Sequence, residues 1–132
     1  MTNIPTNELQ QFLRKYRFAR ARVLRCSLRT ASRGVAVELL IKVRPAVRDL
    51  SPEPAPVRLL LRIDGVEEYR FQKRLSSNSG RVHDLSLGYF NGTIFLNLDA
   101  MSLIPGDVAG IHDYRLSDAY VAGSRLSAGE RP

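Results

Sequence analysis

Two His-Asp pairs, His83-Asp84 and His112-Asp113, are the residues whose types come closest to a catalytic or metal-binding pattern. A metal site needs several ligands that converge in space, and the sequence does not bring these pairs together. On a strand, His83 and Asp84 would point to opposite sides of the sheet, so at most one of them could serve a given site. The chain also lacks a phosphate-binding glycine loop and the nucleophile elbow of hydrolases. The sequence therefore predicts no catalytic residue, no metal and no cofactor, and it favours a non-enzymatic protein.

Positive charge is concentrated near the N-terminus. Residues 1–50 contain eleven Lys and Arg against three Asp and Glu, and the segment 14–33 holds eight basic residues and no acid. Such a block is typical of proteins that bind nucleic acid, an acidic protein partner or an anionic membrane surface. The simpler interpretation is that these arginines line the solvated sides of a helix and a strand. The candidate partner-binding residues within the block are Arg14, Arg17, Arg25 and Arg29.

Cys26 is the only cysteine, which excludes an internal disulfide and fits a reducing compartment. Leu24, Cys26 and Leu28 alternate with polar residues, so we expect a strand with these three side chains facing inward and Cys26 acting as a small hydrophobe. The apolar residues before position 24 have the opposite parity, which predicts a bulge near Val23. No apolar run is long enough to span a membrane and no signal peptide is recognisable, so we expect a cytoplasmic protein.

A β-hairpin closed by Asn91-Gly92 is the best-defined local element. Both residues tolerate the positive φ angles that a type I′ turn requires. A two-residue loop sets Phe90 opposite Thr93, and the register that follows puts one set of apolar residues on a single face. That predicted face consists of Leu85, Leu87, Tyr89, Ile94, Leu96 and Leu98.

An amphipathic helix is predicted over residues 7–17. Leu9, Phe12, Leu13 and Tyr16 follow the i, i+3, i+4, i+7 spacing of one helix face. A helix this short is unstable alone, so we expect it to cover one side of a sheet.

Two further strand segments follow. Residues 35–43 alternate cleanly and are predicted to pair antiparallel with the strand before them. The strand 57–63 is followed by Asp64-Gly65, a typical turn sequence, and then by a segment containing Tyr69. We expect a hairpin here, with a three-residue loop or a bulge, in which Tyr69 pairs back with the strand 57–63.

These elements predict an α+β fold that is mainly β. An N-terminal helix is followed by an antiparallel meander sheet of about seven strands, because the strands follow one another at short spacing. The length indicates a single globular domain over residues 1–132. Residues 127–132 are expected to form a disordered tail.

The order of elements resembles one known class of proteins. A helix is followed by the strand segment 22–28, a long alternating strand, the segment 57–71 and a closing segment 113–121. This layout is similar to that of small bacterial β-sheet immunity proteins of polymorphic toxin systems. The resemblance covers most of the chain as a pattern of elements, not as matched residues, so it carries over no site residue. It implies a bacterial protein that neutralises a toxin.

Two functions remain open from the sequence. The first is a protein-binding domain, in which exposed aromatic residues and arginines anchor the interface. The second is a nucleic-acid-binding domain that uses the basic segment 14–33, with Tyr16 and Phe18 available to stack on bases. The first is preferred, because a solvated sheet face needs charged residues whether or not it binds nucleic acid. The oligomeric state stays open. The aromatic candidates for a protein interface are Phe90, Phe95 and Tyr120.

Overall fold

The computed structural model describes residues 1–31, 34–46, 54–71, 82–83, 85–98 and 119–131. Most of these residues lie in strands, and the only α-helix among them is α1, Leu9–Leu13. Single turns of 3₁₀-helix at Thr6–Glu8 and Phe18–Arg20 precede α1 and the second strand. In chain order the strands are β1 Thr2–Ile4, β2 Ala21–Ala31, β3 Gly34–Val43, β4 Val57–Asp64, β5 Glu68–Phe71, β6 Val82–His83, β7 Ser86–Phe90, β8 Thr93–Asn97, β9 Ala119–Gly123 and β10 Arg125–Arg131.

The strands form two antiparallel sheets. The first sheet has the order β1-β10-β4-β3-β2-β6 and the second has the order β5-β9-β8-β7. The prediction of a mainly antiparallel β protein with an N-terminal helix is confirmed, but the single meander of about seven strands is wrong. The prediction of a disordered tail over 127–132 is also wrong as far as Arg131. Residues 127–131 belong to β10, whose backbone pairs with β4, and with β1 at residues 126–128.

The two sheets are joined where two strand pairs bend together. β4 pairs with β10 up to Asp64, and β5 then pairs with β9. Because β9 and β10 follow each other directly in the chain, β4 and β5 pair with one nearly continuous segment on both sides of residues 65–67. The N–H of Ser124 donates to the carbonyl of Asp64 at 2.9 Å at this corner. The predicted hairpin between the strand 57–63 and Tyr69 is therefore wrong. Asp64-Gly65 bends the strand into the second sheet, as strands do when they switch sheets, and does not reverse it.

The hairpin of β7 and β8 confirms the register read from the turn. Asn91 has a φ of 52° and Gly92 a φ of 80°, the combination that a type I′ turn needs. Phe90 pairs with Thr93 and Tyr89 with Ile94. The predicted apolar face packs into the main core, fully buried except for the half-buried Tyr89.

The pairing of β2 with β3 and the bulge near Val23 are also confirmed. The register shifts between Val23 and Arg25, and Cys26 then lies opposite the buried Leu39. Cys26 is half-buried against the core as expected. Leu24 is 41% exposed and Leu28 is 44% exposed, so the prediction that both are buried is wrong. Leu24 sits within the bulge, and Leu28 faces inward on a part of β2 that the core does not fully cover.

The helix is much shorter than the predicted span 7–17. Leu9 and Phe12 are buried as its periodicity indicates, but α1 ends at Leu13. Beyond it, residues 15–17 run alongside residues 44–46, and the N–H of Arg17 donates to the carbonyl of Arg44 at 3.0 Å. Backbone groups that bond to a neighbouring segment are not available for helical hydrogen bonds, so the helix stops.

Candidate binding surface

The first sheet has one apolar side and one charged side. Odd-numbered residues of β3 and β4, from Val37 to Val43 and from Leu59 to Ile63, face the core. The opposite side is called the outer face here, and the register assigns it a clear excess of basic residues. Its charged residues are Arg22, Arg25, Arg29, Glu38, Lys42, Arg58, Arg62, Asp64, Arg125 and Arg131.

Four of these cations form a line across four adjacent strands, called the basic row here. Arg22 of β2 lies opposite Lys42 of β3, Lys42 lies opposite Arg58 of β4, and Arg58 lies opposite Arg131 of β10. Neighbouring strands are about 4.8 Å apart, so the row spans about 14 Å. All four side chains are exposed. Among the residues that the structure describes, none of the four forms an ion pair.

At the other end of the outer face, two acids form ion pairs with arginines. Glu38 forms ion pairs with Arg29 and with Arg62, the latter at 3.4 Å, and Asp64 binds Arg62 Nε at 2.9 Å. The hydrogen bond to Asp64 raises the pKa of Arg62, with desolvation acting against it and the charges of Asp64 and Glu38 adding to the rise. Charge is thus segregated along the strands, with paired charges at one end and like charges at the other.

An apolar strip separates the two ends. Leu40 lies opposite Leu60, and Leu60 lies opposite Gly129. Leu60 is 5% exposed and Leu40 is half-buried, while Arg25 stands beside Leu40 on β2. A protein interface typically combines an apolar centre with arginine around it, and this part of the outer face has that composition.

A shallow hollow lies where the basic row reaches the end of the sheet. Its volume is about 720 Å³, and its lining includes Lys42, Arg58 and Arg131. Among its described lining residues, Glu130 is the acid. Three cations of the row therefore share one concave surface.

The basic candidates from the sequence fall in two places. Arg25 and Arg29 lie on the outer face, where Arg29 is held by Glu38. Arg14 and Arg17 are exposed, and both lie beyond the last residue of α1. The sequence missed Lys42, Arg58 and Arg131 as a group. Their alternation marks them as solvent-facing strand residues, but only the pairing of β10 with β4 aligns them.

The aromatic candidates are not the exposed anchors that the sequence suggested. Phe95 is 3% exposed and Tyr120 is 6% exposed, so the expectation that they are exposed is wrong. Phe95 packs with Ala122 and, edge to face, with the half-buried Phe90 at a centroid distance of 5.8 Å. The Tyr120 hydroxyl donates to Glu68 Oε1 at 3.0 Å.

Tyr16 and Phe18, expected to stack on bases, pack against each other and against Phe12 in edge-to-face and tilted arrangements. The three rings have centroid distances between 5.5 and 5.9 Å, and Phe18 is 6% exposed. Phe18 is therefore not available to stack on a base, and Tyr16 is half-buried. The outer face carries no aromatic side chain within its described strands, so stacking on single-stranded bases has no platform there.

The remaining chemical candidates have structural explanations or lie outside the described residues. Burial raises the pKa of the Cys26 thiol to about 11, the opposite of what a reactive thiolate needs. In the described ranges, no group of three or more His, Cys, Asp or Glu side chains is placed to hold a metal ion. His112 and Asp113 lie outside the described residues, as does Asp84. No helix within the described part is long and apolar enough to cross a membrane.

Comparisons with known proteins give no family. No family model matches the chain, and neither a curated protein nor a solved structure is similar to it.

Proposed function

We propose that this protein is a non-enzymatic binding protein whose outer face docks on an acidic surface of a protein partner. The observation that carries the proposal is the basic row of Arg22, Lys42, Arg58 and Arg131. Like charges directly opposite each other on a sheet reduce stability, so the row costs the fold free energy. An acidic partner would offset that repulsion and gain from electrostatic steering during association.

The apolar strip beside the row supports a protein over a nucleic acid. Leu40 is only half-buried and can pack against a partner's side chains, whereas phosphate groups would gain nothing from it. Arg25 stands next to the strip and combines an apolar stem with a charged head, as interface arginines commonly do.

A narrower form of the proposal is a toxin-neutralising role of the immunity type in the bacterial cytoplasm. The support for it is the layout of one short helix near the N-terminus among antiparallel strands. In such a role the outer face would cover an acidic region of the toxin. The binding proposal does not depend on this narrower form.

Nucleic acid is the second candidate, because the basic row would also fit phosphate groups. Binding through the row would weaken steeply with salt, with a slope of log K against log salt of about −0.9 for each neutralised phosphate on a duplex. A protein partner held partly by the apolar strip would depend less on salt.

The test compares the wild type with Arg58→Glu, and uses Arg125→Glu as a control with the same change of net charge. Both arginines are exposed on the outer face, but Arg125 lies opposite Asp64 and outside the row. Each protein is immobilised, incubated with nuclease-treated bacterial lysate and cross-linked, and the retained proteins are identified by mass spectrometry. Labelled single-stranded and double-stranded oligonucleotides are titrated in parallel at about 150 mM salt.

We expect an acidic protein that is retained by the wild type and by Arg125→Glu and lost with Arg58→Glu. Its purified form should then bind the wild type in isolation. Micromolar or tighter oligonucleotide binding that Arg58→Glu abolishes would contradict the proposal and favour the nucleic-acid candidate. Equal retention by all three proteins would show that the row is not the docking surface.

A further inference from the structure

A second concave surface, called the arginine depression here, lies at the end of the basic row that Arg22 and Lys42 form. Its volume is about 490 Å³, within the range of small-molecule sites. It is lined by Arg17, Arg20, Arg22, Lys42, Val43, Arg44 and Pro56. Seven described residues line it, of which five are cations and none is an acid.

The depression arises from an interruption in strand pairing. The N–H of Arg17 donates to the carbonyl of Arg44, and Arg22 pairs with Lys42 further along the same side of β3. The 3₁₀ turn Phe18–Arg20 lies between these two paired positions. It turns Phe18 into the core and leaves Arg20 exposed. Cations from two neighbouring segments therefore surround one concave space.

Two features of the depression favour binding over simple solvation. The guanidinium of Arg44 is oriented by a hydrogen bond from Nη1 to the carbonyl of Pro54 at 2.9 Å. Among the described residues, Arg20, Arg22 and Lys42 form no ion pair, so their charges are not neutralised locally. Cations gathered without counter-charges attract anions, and a concave surface strengthens the local field.

We infer that the arginine depression binds a compact small molecule that carries two or more phosphate groups. Arginine donates paired N–H groups in a fork that matches phosphate oxygens, and four of the five cations are arginines. Each phosphate group brings several acceptor oxygens and up to two negative charges, so two groups balance Arg20, Arg22 and Lys42, which form no ion pair among the described residues. A single carboxylate would leave most of this charge unbalanced.

The inference goes beyond the proposed function and can fail independently of it. Arg17 and Arg20 line the depression but lie outside the basic row. Arg58 and Arg131 lie in the row but do not line the depression. Only Arg22 and Lys42 belong to both, and neither is substituted in the tests.

The experiment titrates inorganic tripolyphosphate into the full chain by calorimetry at constant ionic strength, with sulfate as the single-anion reference. The variants are Arg20→Gln in the depression, Arg58→Gln in the row and Arg14→Gln as an exposed cation outside both. Each substitution removes one positive charge from an exposed position. Thermal melts of all variants without ligand confirm that they fold.

We expect saturable binding of one tripolyphosphate per chain, at least about tenfold tighter than sulfate because several charge-assisted hydrogen bonds form together. Arg20→Gln should weaken it about tenfold, which corresponds to one hydrogen bond to a charged group. Arg58→Gln and Arg14→Gln should change it less than about twofold.

Three results would overturn the inference. The first is the absence of saturable binding at millimolar tripolyphosphate. The second is an equal loss with Arg20→Gln and Arg14→Gln, which would indicate diffuse attraction to net charge. The third result would come from titrating a duplex oligonucleotide into the same variants. If the duplex binds more tightly than tripolyphosphate and Arg58→Gln weakens it as much as Arg20→Gln, the phosphates belong to a polymer that follows the row.

Discussion

Tyr89 donates its phenolic hydroxyl to the backbone carbonyl of Ile4 at 2.7 Å. Tyr89 belongs to β7, the edge strand of the second sheet, and Ile4 belongs to β1, the edge strand of the first. One side chain thus connects two sheet edges that are 85 residues apart in the chain. Burial raises the pKa of Tyr89, and a backbone hydrogen bond from Leu126 acts in the opposite direction.

Replacing Tyr89 with Phe should lower the free energy of unfolding by about 1 kcal/mol, because the carbonyl of Ile4 loses its donor while the ring stays in the core. Urea denaturation at neutral pH measures the change. Tyr16→Phe is the control, since the Tyr16 ring is also half-buried and its hydroxyl forms no hydrogen bond within the described part of the chain. An equal loss for the two variants would show that the Tyr89 hydroxyl has no special role in joining the sheets.

Cys26 makes stability depend on pH in the alkaline range. Burial raises the pKa of its thiol from the ordinary value of 9.0 to about 11 in the folded protein, so the unfolded chain loses the thiol proton first. The contribution is fully present below pH 9.0 and is lost as pH rises through about 11.

Cys26→Ala should therefore have a shallower decline of unfolding free energy between pH 9 and 11 than the wild type. Denaturant titrations at several pH values give the two slopes. The remaining decline in the variant comes from other groups, including Tyr16 and Tyr89, whose pKa values are also raised by burial. Parallel slopes would mean that the thiol ionises equally easily in the folded and unfolded chains.

Arg58→Glu should stabilise the fold while it weakens partner binding. The new carboxylate would lie opposite Lys42 on one side and Arg131 on the other, which converts two repulsive contacts into attractive ones. We expect a gain of about 0.5 kcal/mol. Arg125→Glu would instead place an acid opposite Asp64 and should lower stability by a similar amount.

Chemical denaturation of both variants at low salt measures these opposite changes, and added salt should reduce both. A stabilised variant that no longer binds would show that the row is retained for binding at a cost in stability. If Arg58→Glu is the less stable of the two variants, the row is not repulsive and the argument for its function loses its basis.

Gly123→Ala should disrupt the corner between the sheets. A Cβ atom at this position would lie 2.5 Å from Ile63 Cγ2 and 2.8 Å from the carbonyl oxygen of Asp64. A backbone atom cannot move aside cheaply, so we expect a loss of about 1–3 kcal/mol.

Gly129→Ala is the matched control, because Gly129 lies in β10, the strand that follows β9 and Gly123. The nearest atoms to a Cβ there belong to Met1, whose Cγ would lie 3.3 Å away and which is 55% exposed. This variant should remain within about 0.5 kcal/mol of the wild type. Thermal melts rank the two variants, and a Gly123→Ala protein as stable as Gly129→Ala would show that the corner relaxes freely.

Local chemistry predicted some elements well and others poorly, and the difference lies in the range of the interactions. Asn91-Gly92 requires one turn type, and the apolar residues on both sides agree with the register that this turn imposes. Asp64-Gly65 has similar turn chemistry, yet it forms a bend. Its outcome depends on the pairing of β9 and β10 with β5 and β4, which comes from residues far along the chain.

The candidate surface shows the same limit. Alternation alone assigns Lys42 and Arg58 to the solvated side of their strands. Their alignment with Arg131 requires the C-terminal strand to enter the sheet, where the sequence predicted a disordered tail. Phe95 and Tyr120 have the outward parity of an amphipathic strand, but both are buried. A pattern within one strand cannot show that other parts of the chain will cover its second side.

The position of β10 between β1 and β4 has a consequence for synthesis on the ribosome. β1 contains Thr2–Ile4 and is translated more than 100 residues before its strand partner Leu126–Ala128. Until then, β4 presents an unpaired edge, and exposed edges invite pairing with other chains. We therefore expect nascent chains that stop before β10 to associate with each other. Once β10 is synthesised, it pairs with β4 and removes this exposed edge.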